Sequence, residues 1–191
     1  MPIVRSTKPA LDEWVPVALA ARIVGVDRSS LAHLIDHGLV PSLGLDVVRS
    51  LSTSGEVAAR SSDDPGHLVA RLDLDPSEQR IVDKSDAQLS QAVEGPHRIP
   101  ASYRDRHLLL TVRGFVIATG QIDSIGDLVV LRTDRRGRQI TARPISVSID
   151  ERLYDLTIRP VKAAGESRWL GRRARVGTGG TVLPLTRRDR S

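Results

Sequence analysis

The stretch from Val17 to His37 constrains the fold of this chain most strongly, because its residue spacing is typical of two short helices joined by a tight turn. Gly25 stands where the turn is needed, and glycine adopts backbone conformations that other residues avoid. After the turn, Leu31, Leu34 and Ile35 recur at three- and four-residue spacing, which gives a second helix one buried face. The stretch therefore predicts a helix-turn-helix.

Local signals also set the limits of these helices. Pro16 fits the first turn of a helix, where its missing N–H would be unbonded in any case. An oxygen of Asp27 or Ser29 can cap the second helix, and Gly38 favours its end near His37. We expect a first helix over about residues 16–24, a second from its cap to about 37, and a third over about 45–51, all packed around one small core.

A recognisable pattern combines a small residue, a glycine in the turn, a Ser/Thr-rich second helix and a Gly-Leu/Arg-x-Pro exit. This chain carries the pattern at Ala21, Gly25, Val26, Leu31, Leu34 and Gly38-Leu39-Val40-Pro41. Over this first quarter of its length, the chain resembles the DNA-binding helical module of MerR-type regulators and phage excisionases. It departs from the family after Pro41, where the winged hairpin with its basic residues is absent or very short.

The resemblance implies that the second helix lies in the major groove, where residues near its start face base edges. The candidate base contacts are Arg28, Ser29, Ser30, Ala32 and His33. An arginine at position 28 suits bidentate pairing with guanine, and a serine at 29 or 30 suits a base or a phosphate. The alternative is a packing or dimerisation module, which the balanced charge of this region favours.

The net charge of +5 is concentrated at one end of the chain. From Gly165 onward there are seven arginines against two acidic residues, so the rest of the chain is balanced. We expect this basic segment to contact phosphates without sequence preference, with help from Arg22 in the first helix. The candidate phosphate contacts are Arg22, Arg168, Arg172, Arg173 and Arg175. Trp169 lies between Arg168 and Arg172 in the sequence. The alternative is a solvated terminus.

The second half of the chain is rich in β-forming residues. We expect a strand over residues 67–75, a short helix over 85–95 that begins with a capping box at Ser85 and Gln88, and five later strands. Those strands cover residues 107–113, 115–122, 127–133, 138–149 and 152–160. Short strands with tight turns predict an antiparallel barrel or sandwich, and a final hairpin is expected around Thr178-Gly179-Gly180.

These elements predict an α+β fold with a three-helix helix-turn-helix domain followed by a β-rich domain. The expected divisions are a flexible arm at 1–13, the helical domain at 14–54, a linker at 55–66, the β-rich domain with one short helix at 67–164, and a basic segment at 165–191.

Within the β-rich half, the run RHLLLTVRGFVIATGQI preceded by AVEGPHRIP resembles the small barrels of PUA-like domains of the ASCH and EVE group. That resemblance implies binding of RNA or a modified base in an aromatic cage. The candidates for such a cage are Tyr103, Phe115, Tyr154 and Trp169, which more commonly pack in a core.

Other chemistry finds little support in the sequence. The chain has no cysteine, and aromatic residues make up 3% of it. His33 and His37 share a helix face at a spacing that can hold zinc, but a third ligand is missing nearby, so we expect a polar helix face and no metal. No catalytic set, cofactor motif, signal peptide or membrane-spanning run is evident.

We therefore expect a cytoplasmic, non-enzymatic protein without a cofactor that binds double-stranded DNA sequence-specifically, with homodimerisation as an option. A transcriptional regulator or a DNA-binding factor of a phage or mobile element fits this description. The alternatives are a protein-interaction module, such as an antitoxin or assembly factor, and a PUA-like RNA or modified-base reader.

Overall fold

The computed structural model describes residues 14–57, 68–72, 79–157, 168–174 and 182–184. It contains helices α1 (Val17–Val24), α2 (Arg28–Asp36), α3 (Leu45–Ser52) and α4 (Asp86–Val93). The strands are β1 (Leu68–Arg71), β2 (Gly95–His97), β3 (His107–Val112), β4 (Phe115–Ile125), β5 (Val129–Thr133), β6 (Gln139–Arg152) and β7 (Val182–Pro184). The α+β class is confirmed.

The first three helices occupy the predicted positions. Gly25 ends α1 with φ +73°, in the left-handed region that favours glycine, and its N–H donates to the carbonyl of Ala21. Asp27 caps α2 by accepting a hydrogen bond from the N–H of Ser30. α1 packs against both α2 and α3. The presence of three helices is thus confirmed, whereas their use as a DNA-binding helix-turn-helix stays a prediction.

The capping box of the fourth helix is also confirmed. The hydroxyl of Ser85 accepts from the N–H of Gln88, and the side chain of Gln88 accepts from the N–H of Ser85. The helix ends at Val93, two residues before the predicted end, with Glu94 as its C-cap, and Gly95 begins β2.

The strands form one open sheet in the order β2-β6-β4-β3-β1-β7, and β5 pairs with β6 beyond this path. The predicted barrel or sandwich is wrong, because short β2 and β7 lie at opposite ends of the order and do not meet. The sheet is also not purely antiparallel: β1 runs parallel to β3, with Leu68 opposite Leu108. Along its other edge, β1 pairs antiparallel with β7.

The strand expected over residues 152–160 is not formed in the described part of that range, whose first residue is the last residue of β6. β6 continues to Arg152, and the chain then turns, so the described part of the expected strand 152–160 is not a separate strand. The turn has a local cause, since a carboxylate oxygen of Asp155 accepts from both the N–H and the hydroxyl of Thr157. The turn expected around residues 178–180 lies outside the described residues, and β7 pairs with β1. The domain limits stay predictions.

Apolar side chains cover both faces of the sheet. On one face, buried residues of β1 and β3, such as Leu68, Leu108 and Leu110, form a continuous core with Leu31 and Leu34 of α2. On the other face, Val69, Leu109 and Val116 pack against Trp169 and Leu170. Residues 168–174 therefore complete the fold by covering the face that the helices leave open.

Arg152 anchors the segment in front of α4. Its guanidinium donates to the carbonyls of Ile81 and Lys84 at 3.0 and 2.5 Å, and to the carboxylate of Asp86 at 3.2 Å. The side chain is buried and stacks on the ring of Tyr154. This arrangement fixes the start of α4 against the end of β6.

We predict that Gly120→Ala destabilises the protein by about 3 kcal/mol, because the new Cβ would lie 2.1 Å from the carbonyl oxygen of Ser148. β4 and β6 would have to separate at a point where their register already shifts. Urea denaturation measures the loss. The control is Gly44→Ala, whose Cβ would meet nothing closer than 4.0 Å and should change stability by less than about 1 kcal/mol. Equal effects of the two substitutions would contradict this close approach.

Candidate nucleic-acid interface

The start of α2 exposes two charged side chains, that of the capping residue Asp27 and that of Arg28, the first residue of the helix. The two serines that follow it are engaged with the capping residue. The hydroxyls of Ser29 and Ser30 donate to the carboxylate of Asp27 at 2.5 and 2.6 Å, and the N–H of Ser30 donates to it at 2.7 Å. Ser30 is moreover buried. Both hydroxyl protons therefore stabilise the helix start, and Arg28 is left as its outward-facing donor.

These hydrogen bonds also fix the charge of the cap. The hydroxyl of Ser29, and then that of Ser30, holds the pKa of Asp27 far below its usual value. Asp27 is consequently ionised at neutral pH. Its negative charge stands next to the guanidinium of Arg28 along the chain and moderates the attraction of this helix start for anions.

The rest of α2 offers a mixed surface. Arg28, Ala32 and Asp36 are spaced by four residues and share one face, so a carboxylate stands two turns from the guanidinium. Ala32 and His33 are half-buried. The ring of His33 stacks on that of buried His37, with centroids 6.2 Å apart and planes 5° from parallel. The sequence predicts a polar helix face at His33 and His37. His37 is instead buried, and its ring contacts that of His33.

A cleft of about 410 Å³ opens beside the first turn of α2 and brings further arginines to it. Arg71 from the end of β1 and Arg113 from the turn between β3 and β4 line it. The remaining lining residues are Ser30, Leu72, Thr111, Gly114 and Ala174. The fold thus places two cationic side chains next to a helix region whose own charge is balanced.

The position of Arg113 follows from a tight turn. Val112 pairs with Phe115, so the turn has two residues, Arg113 and Gly114, with φ of +49° and +83°. Two successive positive φ values are typical of a hairpin turn that matches the twist of its strands. Neither Arg71 nor Arg113 was among the predicted site residues. The only signal in the sequence is the Arg-Gly pair between two apolar strands, and it does not reveal which helix lies nearby.

The other predicted phosphate contacts differ in their surroundings. Arg22 is exposed in the last turn of α1. Arg168 and Arg172 are exposed and stack over the ring of Trp169, at 4.4 and 5.5 Å from its centroid. Trp169 itself is buried against the sheet, so the two guanidinium groups are held at the surface on a fixed support. Arg175 lies outside the described residues.

The side chain of Arg173 is half-buried and forms hydrogen bonds with the turn after α1. Its guanidinium donates to the carbonyl oxygens of Val24 and Gly25, the latter at 3.4 Å, and lies 5.1 Å from the ring centroid of Phe115. Burial lowers the pKa of Arg173, and the carboxylate of Glu56 opposes that change. A positive group at a helix C-terminus is stabilised by the helix dipole. Its contacts are therefore those of a structural residue.

Two other kinds of site find no support in the described parts of the chain. No group of three His, Cys, Asp or Glu side chains there is placed to hold a metal ion. None of the helices in those parts has the length and apolar character needed to cross a bilayer. No protein-family model, curated protein or solved structure matches this chain.

We predict that Arg173→Ala lowers the free energy of unfolding by about 1–3 kcal/mol, because it leaves carbonyls of α1 and its turn without their charged donor. Arg173→Lys should recover only part of this, since an ammonium lacks the planar fork that reaches two oxygens. Denaturant unfolding measures both. Arg172→Ala removes a neighbouring exposed guanidinium and is the control, with a loss below about 1 kcal/mol. Equal losses for Arg172→Ala and Arg173→Ala would refute the structural role of Arg173.

We also predict that acid destabilises α2 through its cap. Because the folded pKa of Asp27 lies below the unfolded value, its contribution is fully present above about pH 4 and is lost as the pH falls further. Asp27→Ala should cost about 1 kcal/mol at pH 7, and Asp27→Asn much less. The measurement is the thermal midpoint of each variant between pH 7 and pH 3. The wild type should lose its advantage over Asp27→Asn towards pH 3; a constant difference would contradict the assignment.

Proposed function

We propose that this protein binds double-stranded DNA and that α2 reads the major groove from its N-terminal end. The observation that carries the proposal is the grouping of positive charge at this end. Arg28 is exposed there, and Arg71 and Arg113 line the adjoining cleft. Positive side chains beside an exposed helix start suit a duplex, because phosphates flank the groove that the helix would enter.

The arginines divide into two roles under this proposal. Arg28 projects from the first position of α2 and suits a bidentate contact with guanine O6 and N7. Arg113 lies to the side of the helix and suits a phosphate, as do the exposed Arg22, Arg168 and Arg172. Ala32 suits the methyl group of a thymine. Specificity would then rest chiefly on Arg28, and affinity on the arginines around it.

Under this proposal, Ser29 and Ser30 do not contact bases directly. Since their hydroxyl protons are donated to Asp27, they fix the geometry from which Arg28 projects. His33, stacked on His37, would present only an edge of its ring. The proposal fits a transcriptional regulator or a mobile-element factor that works in the cytoplasm.

A second candidate function is suggested by the outer face of α1. Leu19 and Ile23 are four residues apart and are 49% and 44% exposed. Two large apolar residues on one exposed helix face are typical of a protein contact. This observation favours the interaction-module alternative, or a homodimer that presents two copies of α2 to one duplex.

We predict that Arg28→Ala weakens binding to the preferred duplex about 10- to 100-fold and weakens binding to random duplex only two- to three-fold, roughly the value of one bidentate base contact. The preferred duplex is first selected from a random pool with the wild-type protein. Arg113→Ala should weaken both complexes alike and lower the salt slope by about 1, as the loss of a phosphate contact does. Fluorescence anisotropy at several salt concentrations measures these quantities.

The matched control is Arg80→Ala. Arg80 is exposed, pairs with Asp83 at 2.8 Å and lies close to Gly38, beyond the C-terminal end of α2. It should leave both affinities within about two-fold. Equal losses of Arg28→Ala on both duplexes would refute base reading by α2. A wild-type protein that binds no duplex at low salt, but forms a stable dimer or a complex with one protein, would favour the second candidate function.

A further inference from the structure

The β5–β6 hairpin extends beyond the rest of the sheet, and we call residues 128–142 the arm. β4 pairs with the later part of β6, from Ile145 to Arg152, and β5 pairs with its beginning. No other strand of the described chain pairs with β5, and all five residues of β5 are exposed. A strand of this length projects about 17 Å. The arm is thus a two-stranded ribbon whose β5 strand is exposed throughout, while the β6 strand becomes buried at Ala142, where the arm joins the sheet.

Exposed apolar residues lie at the base of the arm. Leu128, Val129, Val130 and Leu131 are all exposed, and Leu128 is 57% exposed. A two-stranded hairpin has marginal stability in water, and an exposed apolar strand edge promotes association. Such a ribbon suits a surface that is covered when the protein acts.

The tip of the arm is strongly basic. Arg132, Arg135, Arg136 and Arg138 face a single acid in the arm, Asp134. The carboxylate of that acid accepts from the N–H groups of Arg136 and Arg138 at 2.8 and 3.0 Å, and from Nε of Arg138 at 2.8 Å. These bonds lower the pKa of Asp134 and keep it ionised. Asp134 therefore shapes the turn, while three arginines remain for an external anion.

We infer that the arm is a second DNA-contacting element, whose tip arginines grip the duplex backbone at a distance from α2; this rests on the proposed function. Guanidinium forks match phosphate oxygens, and a two-stranded ribbon fits the major groove of B-form DNA. The apolar base would then lie against sugars and thymine methyls along the groove wall.

The distribution of residues favours DNA over other polyanions. The arm contains no aromatic residue, so it lacks the stacking surfaces that bind unpaired bases. The deep, narrow major groove of double-stranded RNA does not admit side chains in this way. A membrane-inserting hairpin would place apolar residues at its tip, whereas here they lie at the base and the charges lie at the tip. A second copy of the arm would bring a tip of the same charge.

The sheet also sets the distance between the two contacts. The turn at Arg113 lies before the start of β4, and the tip of the arm lies after the end of β5. The 11 residues of β4 and the 5 residues of β5 span at most about 54 Å, which is about one and a half turns of DNA. Since the arm lies at the end of the sheet remote from the turn at Arg113, we expect a short duplex centred on the α2 site not to reach it.

The test compares the wild type with the double variant Arg135→Gln/Arg136→Gln on two duplexes that carry the selected site, one of about 12 base pairs and one of about 40. On the long duplex we expect the variant to bind roughly ten-fold more weakly at low salt, with a salt slope smaller by about 1.8, the value of two phosphate contacts. On the short duplex the two proteins should bind alike. Both substituted residues are exposed, so the thermal midpoint should not change.

The matched control is Arg49→Gln/Arg80→Gln, which removes the same charge from exposed positions on α3 and before residues 81–83. It should leave the length dependence unchanged. Equal binding of wild type and arm variant to the long duplex would overturn the inference while the proposed function stands. Equal losses of the arm variant on both duplexes would also overturn it. So would an arm variant that binds both duplexes like the wild type but no longer binds vesicles of anionic lipid. Failure of the wild type to bind either duplex would remove the proposed function itself.

Discussion

The contact of Arg173 with the turn after α1 holds together parts of the chain that are far apart in sequence. The carbonyl end of a helix carries partial negative charge, and this guanidinium lies on it while stacking over Phe115 of β4. The backbone of Arg173 donates to Gly55 and accepts from Val57. Helix, sheet and the chain after α3 therefore meet at one residue, through its side chain and its backbone. α2 follows the same turn.

The interface that we propose obtains its charge from the sheet, although its shape comes from the helices. Asp27 uses the hydroxyl protons of Ser29 and Ser30, so the start of α2 is rigid and carries a negative charge of its own. Arg71 of β1 and Arg113 of the β3–β4 turn line the adjoining cleft. A helical segment of balanced charge thus lies beside cationic side chains from the sheet, and this property depends on tertiary structure.

The sequence predicted best those elements whose causes are local. Gly25, the cap at Asp27 and the capping box at Ser85 each act within four residues; the sequence predicts the first and the last, and narrows the cap of α2 to Asp27 or Ser29. The open sheet was not predicted, because the parallel pairing of β1 with β3 and the antiparallel pairing with β7 depend on packing between distant segments. Within the described residues, the expected strand over 152–160 is not formed for a local reason, the turn closed by Asp155.

The same distinction applies to the candidate site. Counting charges along the chain identified the basic segment after Gly165 but treated Arg172 and Arg173 as equivalent neighbours. One is exposed on Trp169 and the other clasps α1, a difference that only packing creates. Arg113 was missed because nothing in the sequence near it indicates that α2 lies beside its turn. Its neighbourhood is set by the order of the strands.

The clasp also has a consequence for the way the chain reaches its fold during synthesis. Val24 and Arg173 are 149 residues apart, so α1 emerges from the ribosome long before its C-terminal partner exists. β1 is likewise synthesised long before β7, the strand that pairs with its outer edge. Contacts of such long range slow folding, because loop closure must precede the stabilising pairings. The N-terminal helices would therefore remain loosely held on the nascent chain and reach their final arrangement only after residues 168–174 have been made.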